Sequence, residues 1–199
     1  MCKWLMVVVT IALDLLILAA SPSFAEQTKD PEIEQALTDA RQASDELGGK
    51  VRGLLLREIE KGGFANAVRV CSEVAQGITL RFNEHKGHHT RRVSLRYRNP
   101  KNFPDPFEQR KLGEFDRWNR EKKLADEYIE VVKEGEQEYL RYMKPLIVQP
   151  VCIACHGPRE NIPAKVKLIL EEKYPEDRAT VFLVGDVRGA ISVKIRLPR

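Results

Sequence analysis

Two cysteines and a histidine within five residues constrain this chain more than any other feature. The segment Val151-Cys152-Ile153-Ala154-Cys155-His156-Gly157 contains the pattern C-x-x-C-H, and the pattern occurs once. Thiols about one helical turn apart can add to the two vinyl groups on one edge of a porphyrin, and the adjacent histidine then lies under the iron. The motif therefore predicts a single covalently attached haem c, held by Cys152 and Cys155, with His156 as the proximal iron ligand.

Three other functions of a C-x-x-C pair compete with haem attachment. A thioredoxin-like redox pair should follow a strand in a βαβ unit, whereas Gln149-Pro150 and Gly157-Pro158 flank this one. A structural zinc site that recruits Cys71 or a distant histidine usually shows a second closely spaced ligand pair. A disulfide across two intervening residues is strained and rare. Haem attachment is favoured over all three.

The N-terminus predicts export. Lys3 precedes an apolar run from Leu5 to Ala20, and Ser21-Pro22-Ser23-Phe24-Ala25 then ends in small residues. This is the pattern of a cleavable signal peptide over residues 1–25, because the run is shorter than a bilayer span and contains Asp14. Retention as an anchor is the alternative. Export to the periplasm agrees with haem c attachment, which takes place on the outer side of the membrane, and no membrane association is expected after cleavage.

Composition argues for one soluble domain over residues 26–199. The chain is 43% hydrophobic and 31% charged, as in ordinary globular proteins. The net charge of +4 is weak and its basic residues are scattered, so nucleic-acid binding is not expected.

Periodicity predicts an α+β fold, with helices first and antiparallel strands later. Asp30-Pro31 should begin a long amphipathic helix that ends at Lys61-Gly62-Gly63. The other predicted elements are a helix carrying Cys71 on its buried face, a strand at Val93 to Tyr97, a helix begun by Asp105-Pro106, a strand pair or extended segment from Glu136 to Val148, a helix from Ala164 to Glu172, and a terminal hairpin of Val181–Val184 and Ala190–Leu197.

The residue that faces His156 across the haem is not fixed by the motif. Histidine, methionine and cysteine all ligate haem iron, so the candidates are Met143, His85, His88, His89 and Cys71. The histidines lie in a polar run typical of an exposed loop, and Met143 fits core packing. Periodicity leaves Cys71 open between a ligand and a small buried hydrophobe.

Four blocks in order resemble the PAS-like haem c domain family of unknown function, and the resemblance covers nearly the whole mature chain. The blocks are Ala67 to Ala75, Arg92 to Asn102, Cys152 to Gly157, and Tyr174 to Val193. The resemblance implies a PAS-like antiparallel sheet flanked by helices. It also implies a haem held between His156 as proximal ligand and Cys71 as distal ligand. Arg96 and Arg98 are candidates for contact with the haem propionates.

The sequence thus predicts a one-electron carrier or a redox-responsive haem module. Its partner would be a redox protein or a small molecule. The alternative is a redox or gas sensor that binds CO or NO and acts through another chain. A peroxidase-like or thiol-disulfide enzyme is less favoured, because either needs an open distal site or a reducible cysteine pair.

Overall fold

The structure is a computed structural model that describes residues 30–86 and 88–198, with the backbone alone for residues 84–86. The predicted signal peptide, residues 1–25, and the side chain of His85 lie outside the described residues. Among the helices that the structure describes, none is both long and apolar enough to cross a membrane.

The first element is a long helix, α1 (Pro31–Lys86), interrupted by two glycines. It begins where the sequence predicts, since a carboxylate oxygen of Asp30 accepts a hydrogen bond from the backbone N of Glu32 at 2.9 Å. The backbone leaves helical geometry at Gly62 and Gly63, and Gly63 has a φ of +72°, which favours glycine. The predicted break is confirmed, and α1 consists of two helical segments.

One antiparallel sheet forms the other half of the fold. The elements after α1 are β1 (His89–Val93), α2 (Pro106–Arg120), β2 (Tyr128–Glu134), β3 (Gln137–Ile147), α3 (Ile153–His156), α4 (Ala164–Lys173) and β4 (Val187–Arg196). The strands pair in the order β1-β4-β3-β2, each pair antiparallel. The α+β class and the antiparallel sheet with flanking helices are confirmed.

The two faces of the sheet bury two apolar cores. Along β3, Leu140 and Tyr142 pack with the first segment of α1, whereas Met143 packs with Phe107 and Phe115 of α2. This alternation follows from the two-residue period of a strand. A separate cluster joins the second segment of α1 to the motif helix α3 and to α4.

Two predicted strands are placed differently by the structure. The strand predicted at Val93 to Tyr97 is β1, His89–Val93, and it stops where Gly189 approaches: a Cβ on Gly189 would lie 2.2 Å from the carbonyl oxygen of Val93. After that point the backbone N of Ser94 bonds to the carbonyl oxygen of Asn102 at 3.2 Å, so the chain leaves the sheet.

The predicted terminal hairpin is wrong, because only its second strand exists. Residues 181–184 form a loop whose backbone donates to the motif region: Val181 N bonds to Gly157 O at 2.8 Å, and Phe182 N bonds to His156 O at 2.9 Å. The segment from Glu136 to Val148 contains one long strand, β3, and its partner β2 precedes it.

Candidate functional site

The cysteine motif lies on one short helical turn at the end of β3. A 3-10 turn, Pro150–Cys152, leads into α3, Ile153–His156. Cys155 is buried, Cys152 is half-buried, and both thiols are free. Residues three apart on a helix share a face, so the two cysteines can be reached from one side.

The thiol of Cys155 is buried within the motif. Burial raises the pKa of Cys155 to about 11, while the charge of Arg98 opposes this effect. A thioredoxin-type pair follows a strand within a βαβ unit. Here the pair follows a strand of an antiparallel sheet, so the surroundings do not match that alternative.

His156 is oriented by a backbone carbonyl. Its Nδ1 lies 2.7 Å from Ala179 O, and since a carbonyl only accepts, Nδ1 carries the hydrogen. The other nitrogen, Nε2, therefore keeps its lone pair. Burial, together with the charges of Arg188 and Arg98, holds the pKa of His156 well below its usual range. A neutral imidazole with a free Nε2 is the form that binds a metal.

A network behind His156 fixes that carbonyl. Arg98 Nε donates to Asp177 Oδ2 at 3.1 Å, and Ala179 N donates to Asp177 Oδ1 at 2.8 Å. Arg98 Nη2 also donates to Cys155 O at 2.5 Å. The guanidinium thus connects the motif helix to the segment that orients His156, which is a typical supporting arrangement for a metal ligand.

Four arginines, Arg92, Arg96, Arg98 and Arg188, lie around the motif, and the carboxylates of Asp116 and Asp177 are among the charges near them. The Arg96 guanidinium stacks 3.7 Å above the Phe182 ring and donates to Thr180 O. Arg188 Nη1 donates to Ser94 Oγ and to a backbone carbonyl, at 2.9 and 3.0 Å. Within the described residues, Arg98 is the member of the group that pairs with a carboxylate.

The surroundings of Arg188 and Arg92 disfavour the charged forms of both side chains. Burial, followed by the charge of Arg98, lowers the pKa of Arg188 to about 9. Burial also lowers the pKa of Arg92, whose Nε is buried without a hydrogen-bond partner among the described residues. Buried charges are normally paired, so this group of arginines is suited to an anionic ligand. Sequence reasoning named Arg96 and Arg98 but missed Arg92 and Arg188, because only the strand register brings these two to the site.

Cys71 lies on the side of α1 that packs against the motif. Val68, one turn earlier on α1, is in the same apolar cluster as Cys155. Burial raises the pKa of the half-buried Cys71, while the nearby charge of Arg92 opposes this effect. The Cys71 thiol in turn contributes to the raised pKa values of Cys155 and Tyr174, although burial is the main cause in both. The structure therefore brings Cys71 into the neighbourhood of the motif.

The other candidates for the distal position lie elsewhere. Met143 is fully buried under α2, in a cluster that does not include the motif. His89 begins β1, and the charges that act on it belong to Arg91, Glu108, Lys194 and Arg141. The opposite end of β1 adjoins Ser94 and Arg188, about 13 Å away along the strand. His88 immediately precedes β1, with a buried Nδ1 that has no hydrogen-bond partner among the described residues.

The described residues contain no group of three or more histidine, cysteine, aspartate or glutamate side chains that would hold a metal ion. The site instead offers two thiols, one oriented imidazole, and cationic side chains on the flanks.

Known proteins resemble this chain over most of its length. A family model described as Tll0287-like matches residues 19–196. A solved structure entitled "Crystal structure of the cyanobacterial heme-protein Tll0287" has 28% sequence identity and a TM-score of 0.62, and the match covers 85% of this chain and 98% of that one. No curated protein matches.

Proposed function

The chain belongs to the Tll0287-like family, and on that premise we propose that it is an exported haem protein that transfers single electrons. It carries one haem c, bound through thioethers to Cys152 and Cys155 and ligated by His156. The haem supplies an iron that cycles between the ferric and ferrous states. The PAS-like classification of the fold stays a prediction.

The observation that carries the proposal is the orientation of His156 beside the two free thiols. A proximal histidine normally donates its second ring hydrogen to a carbonyl or carboxylate, which fixes the ring and increases its basicity. His156 makes that bond to Ala179 O. The motif helix also presents Cys152 and Cys155 one turn apart, which suits attachment at two neighbouring vinyl groups.

Cys71 is proposed as the distal ligand. Its support is the packing of its helix face against Cys155 and the nearby charge of Arg92, which favours a thiolate. A thiolate donates charge to iron and stabilises the ferric state, so the reduction potential should be low.

The arginines around the motif are proposed to neutralise the two haem propionates. Arg96 and Arg98 remain candidates, but Arg98 already pairs with Asp177. Arg92, Arg96 and Arg188 lack a carboxylate partner among the described residues, and Arg92 also has a buried Nε without a hydrogen-bond partner there, which makes it the strongest candidate. Guanidinium groups bind carboxylates well because their planar donors match the two oxygens.

Covalent attachment is tested by expressing the full chain with the haem c maturation machinery. Denaturation and acid-organic extraction should leave the haem on the polypeptide, and Cys152→Ala should lose one thioether. Leu168→Ser replaces an exposed side chain on α4; it is the matched control and should keep both thioethers. Loss of colour on extraction, or zinc in place of iron, would contradict the proposal. Recovery of the processed protein from the periplasm tests the predicted signal peptide.

Ligand behaviour on reduction separates an electron carrier from a sensor. A carrier keeps both axial ligands in both oxidation states, because rearrangement slows electron transfer. A gas sensor releases Cys71 on reduction and binds CO rapidly. We expect the ferrous protein to bind CO slowly. Fast CO binding with a change of coordination would favour sensing instead.

A further inference from the structure

The loop 181–184, Val181-Phe182-Leu183-Val184, holds three large apolar side chains in solvent. Val181, Leu183 and Val184 are 58%, 62% and 57% exposed, whereas Phe182 between them is buried. Single exposed apolar residues are normal, but three within four residues form a patch.

The patch is held in place by hydrogen bonds at its C-terminal end. Gly185 N donates to Val148 O at 3.0 Å, and Val148 N donates to Asp186 O at 2.9 Å. Leu183 N donates to Asp186 Oδ2 at 2.8 Å, and Asn119 of α2 donates to Gly185 O at 2.9 Å. The apolar side chains are therefore presented by a fixed backbone rather than by a loose loop end.

The backbone at Val181 is strained. Its φ is +62°, a conformation that is unfavourable for a β-branched residue. Such outliers occur where the surrounding structure enforces them, commonly at functional sites. In this conformation Phe182 is buried beside His156, while Val181 and Leu183 on either side of it are exposed.

The patch adjoins the proposed redox centre directly. Phe182 N bonds to His156 O at 2.9 Å, and the Phe182 ring meets the His156 ring edge-on, with centroids 6.3 Å apart. Val181 N bonds to the carbonyl oxygen of Gly157, the residue after the motif. A molecule that contacts the exposed side chains of the loop 181–184 would thus be separated from His156 only by the loop backbone and Phe182.

The side of the patch next to α2 is basic. The last turn of α2 and the residues after it carry four exposed basic side chains against one acidic one, a balance of +3 over residues 117–123. They are Arg117, Arg120, Lys122 and Lys123, with Glu121. Arg120 lines the same cleft as Phe182, and Asn119 of the same turn bonds to Gly185, so this basic rim at the end of α2 lies beside the loop; Asp116 and Asp186 are the acidic residues of that cleft.

From these features we infer that the loop 181–184 and its basic rim dock an acidic redox protein that exchanges electrons with the haem. The inference rests on the proposed function. An apolar centre with a charged rim suits a transient complex, in which opposite charge speeds the encounter and a small area permits rapid release. A protein partner is favoured over an anionic membrane, because the patch adjoins the proximal ligand through which an electron would pass.

The test is the rate at which a reduced acidic [2Fe–2S] ferredoxin reduces the ferric holoprotein, measured by stopped flow at several salt concentrations. We expect Arg120→Glu to lower the rate about two- to fivefold at low salt and not at high salt, since exposed charges are screened. Leu183→Ser with Val184→Ser should lower it by at least about fivefold at all salt concentrations, because apolar contact at the centre of an interface is lost.

Matched controls are available on remote surfaces. Lys133→Glu reverses an exposed charge at the β2–β3 turn, and Leu168→Ser removes an exposed apolar side chain from α4. Both should leave the ferredoxin rate within about twofold of the wild type. Reduction of the Leu183→Ser, Val184→Ser protein by dithionite should also be unchanged, which shows that the haem itself is intact.

Three outcomes overturn the inference. The first is an equal ferredoxin rate in all variants. The second is a dimer of the wild type that the serine variants abolish in sedimentation, because the occupant is then a second copy. The third is binding to phosphatidylglycerol vesicles that the same variants abolish, because the occupant is then a membrane. Failure of the proposed function is distinct, since a protein without covalent haem would lose its colour on acid-organic extraction, which is measured before any docking.

Discussion

Replacement of Arg98 by alanine tests whether Arg98 holds in place the segment from Asp177 to Ala179 that orients the His156 ring. Arg98 and Asp177 form an ion pair at 3.1 Å whose side chains are only 12% and 8% exposed. Arg98 also donates to the carbonyl oxygen of Cys155. Removal of Arg98 would leave Asp177 as a buried carboxylate without its ion pair, behind His156.

The expected loss of stability is large for a single substitution. Removing one partner of a buried pair costs about 3–5 kcal/mol, and the bond to Cys155 O adds to the effect. We therefore expect Arg98→Ala to lower the free energy of unfolding by at least about 3 kcal/mol. Arg98→Lys should cost less, since it keeps the charge and loses the planar set of donors.

Urea unfolding of the holoprotein, followed by circular dichroism, measures the effect. The double-mutant cycle of Arg98→Met with Asp177→Asn should give a coupling free energy above about 1 kcal/mol, because asparagine retains the bond from Ala179 N and loses the ion pair. The ferric spectrum of Arg98→Ala should also show weakened ligation by His156. A change in stability below about 1 kcal/mol, or a coupling near zero, would refute the reasoning.

Three further substitutions test other parts of the structure. Cys71→Ser should abolish thiolate character in the ferric absorption spectrum and raise the reduction potential, with the haem still attached; an unchanged spectrum would reduce Cys71 to a core residue. Asp105→Ala should cost about 1–3 kcal/mol, from the lost cap of α2 and the lost pair with Arg141, and Asp105→Asn should cost less. Although burial opposes it, the bond from Glu108 N and the charge of Arg141 lower the pKa of Asp105 in the folded state. The stabilisation by Asp105 is therefore present above pH ~4 and is lost as pH falls through the folded pKa, which urea unfolding at several pH values would show. A loss of stability in Asp105→Ala that is equal at all pH values would contradict this. Arg188→Met should stabilise the haem-free protein by removing a half-buried charge, yet destabilise the holoprotein, which would lose a proposed propionate partner; effects of the same sign in both forms would contradict that role.

Local signals in the sequence predicted the helix starts correctly. Asp105 accepts from Glu108 N while the Glu108 side chain accepts from Asp105 N, each at 2.8 Å, which is the capping box that Asp-Pro-Phe-Glu specifies. The break at Gly62-Gly63 and the single turn of the cysteine motif are equally local. Each of these features is decided by residues within one or two turns.

Features set by long-range packing could not be predicted in the same way. Val181 to Val184 is a β-rich sequence that nevertheless forms a loop, because its backbone donors find acceptors at His156 and Gly157, about 25 residues earlier. Sequence reasoning likewise gave Arg188 no role, since its partners Ser94 and Arg96 lie more than 90 residues away. Only the sheet register brings these groups together.

The two proposed iron ligands are held by different means, and this difference bears on function. His156 is fixed through its ring to Ala179, through its backbone to Phe182, and through Arg98 and Asp177 behind them. Cys71 belongs to the α1 segment after the Gly62-Gly63 break, which contacts the motif through apolar packing around Val68. Apolar packing is less directional than hydrogen bonding, so any change of coordination on reduction should occur at Cys71 while His156 keeps its place. Function as an electron carrier therefore requires firm packing of the helical segment that holds Cys71. We expect Val68→Ala to speed CO binding to the ferrous protein without changing the contacts that hold His156.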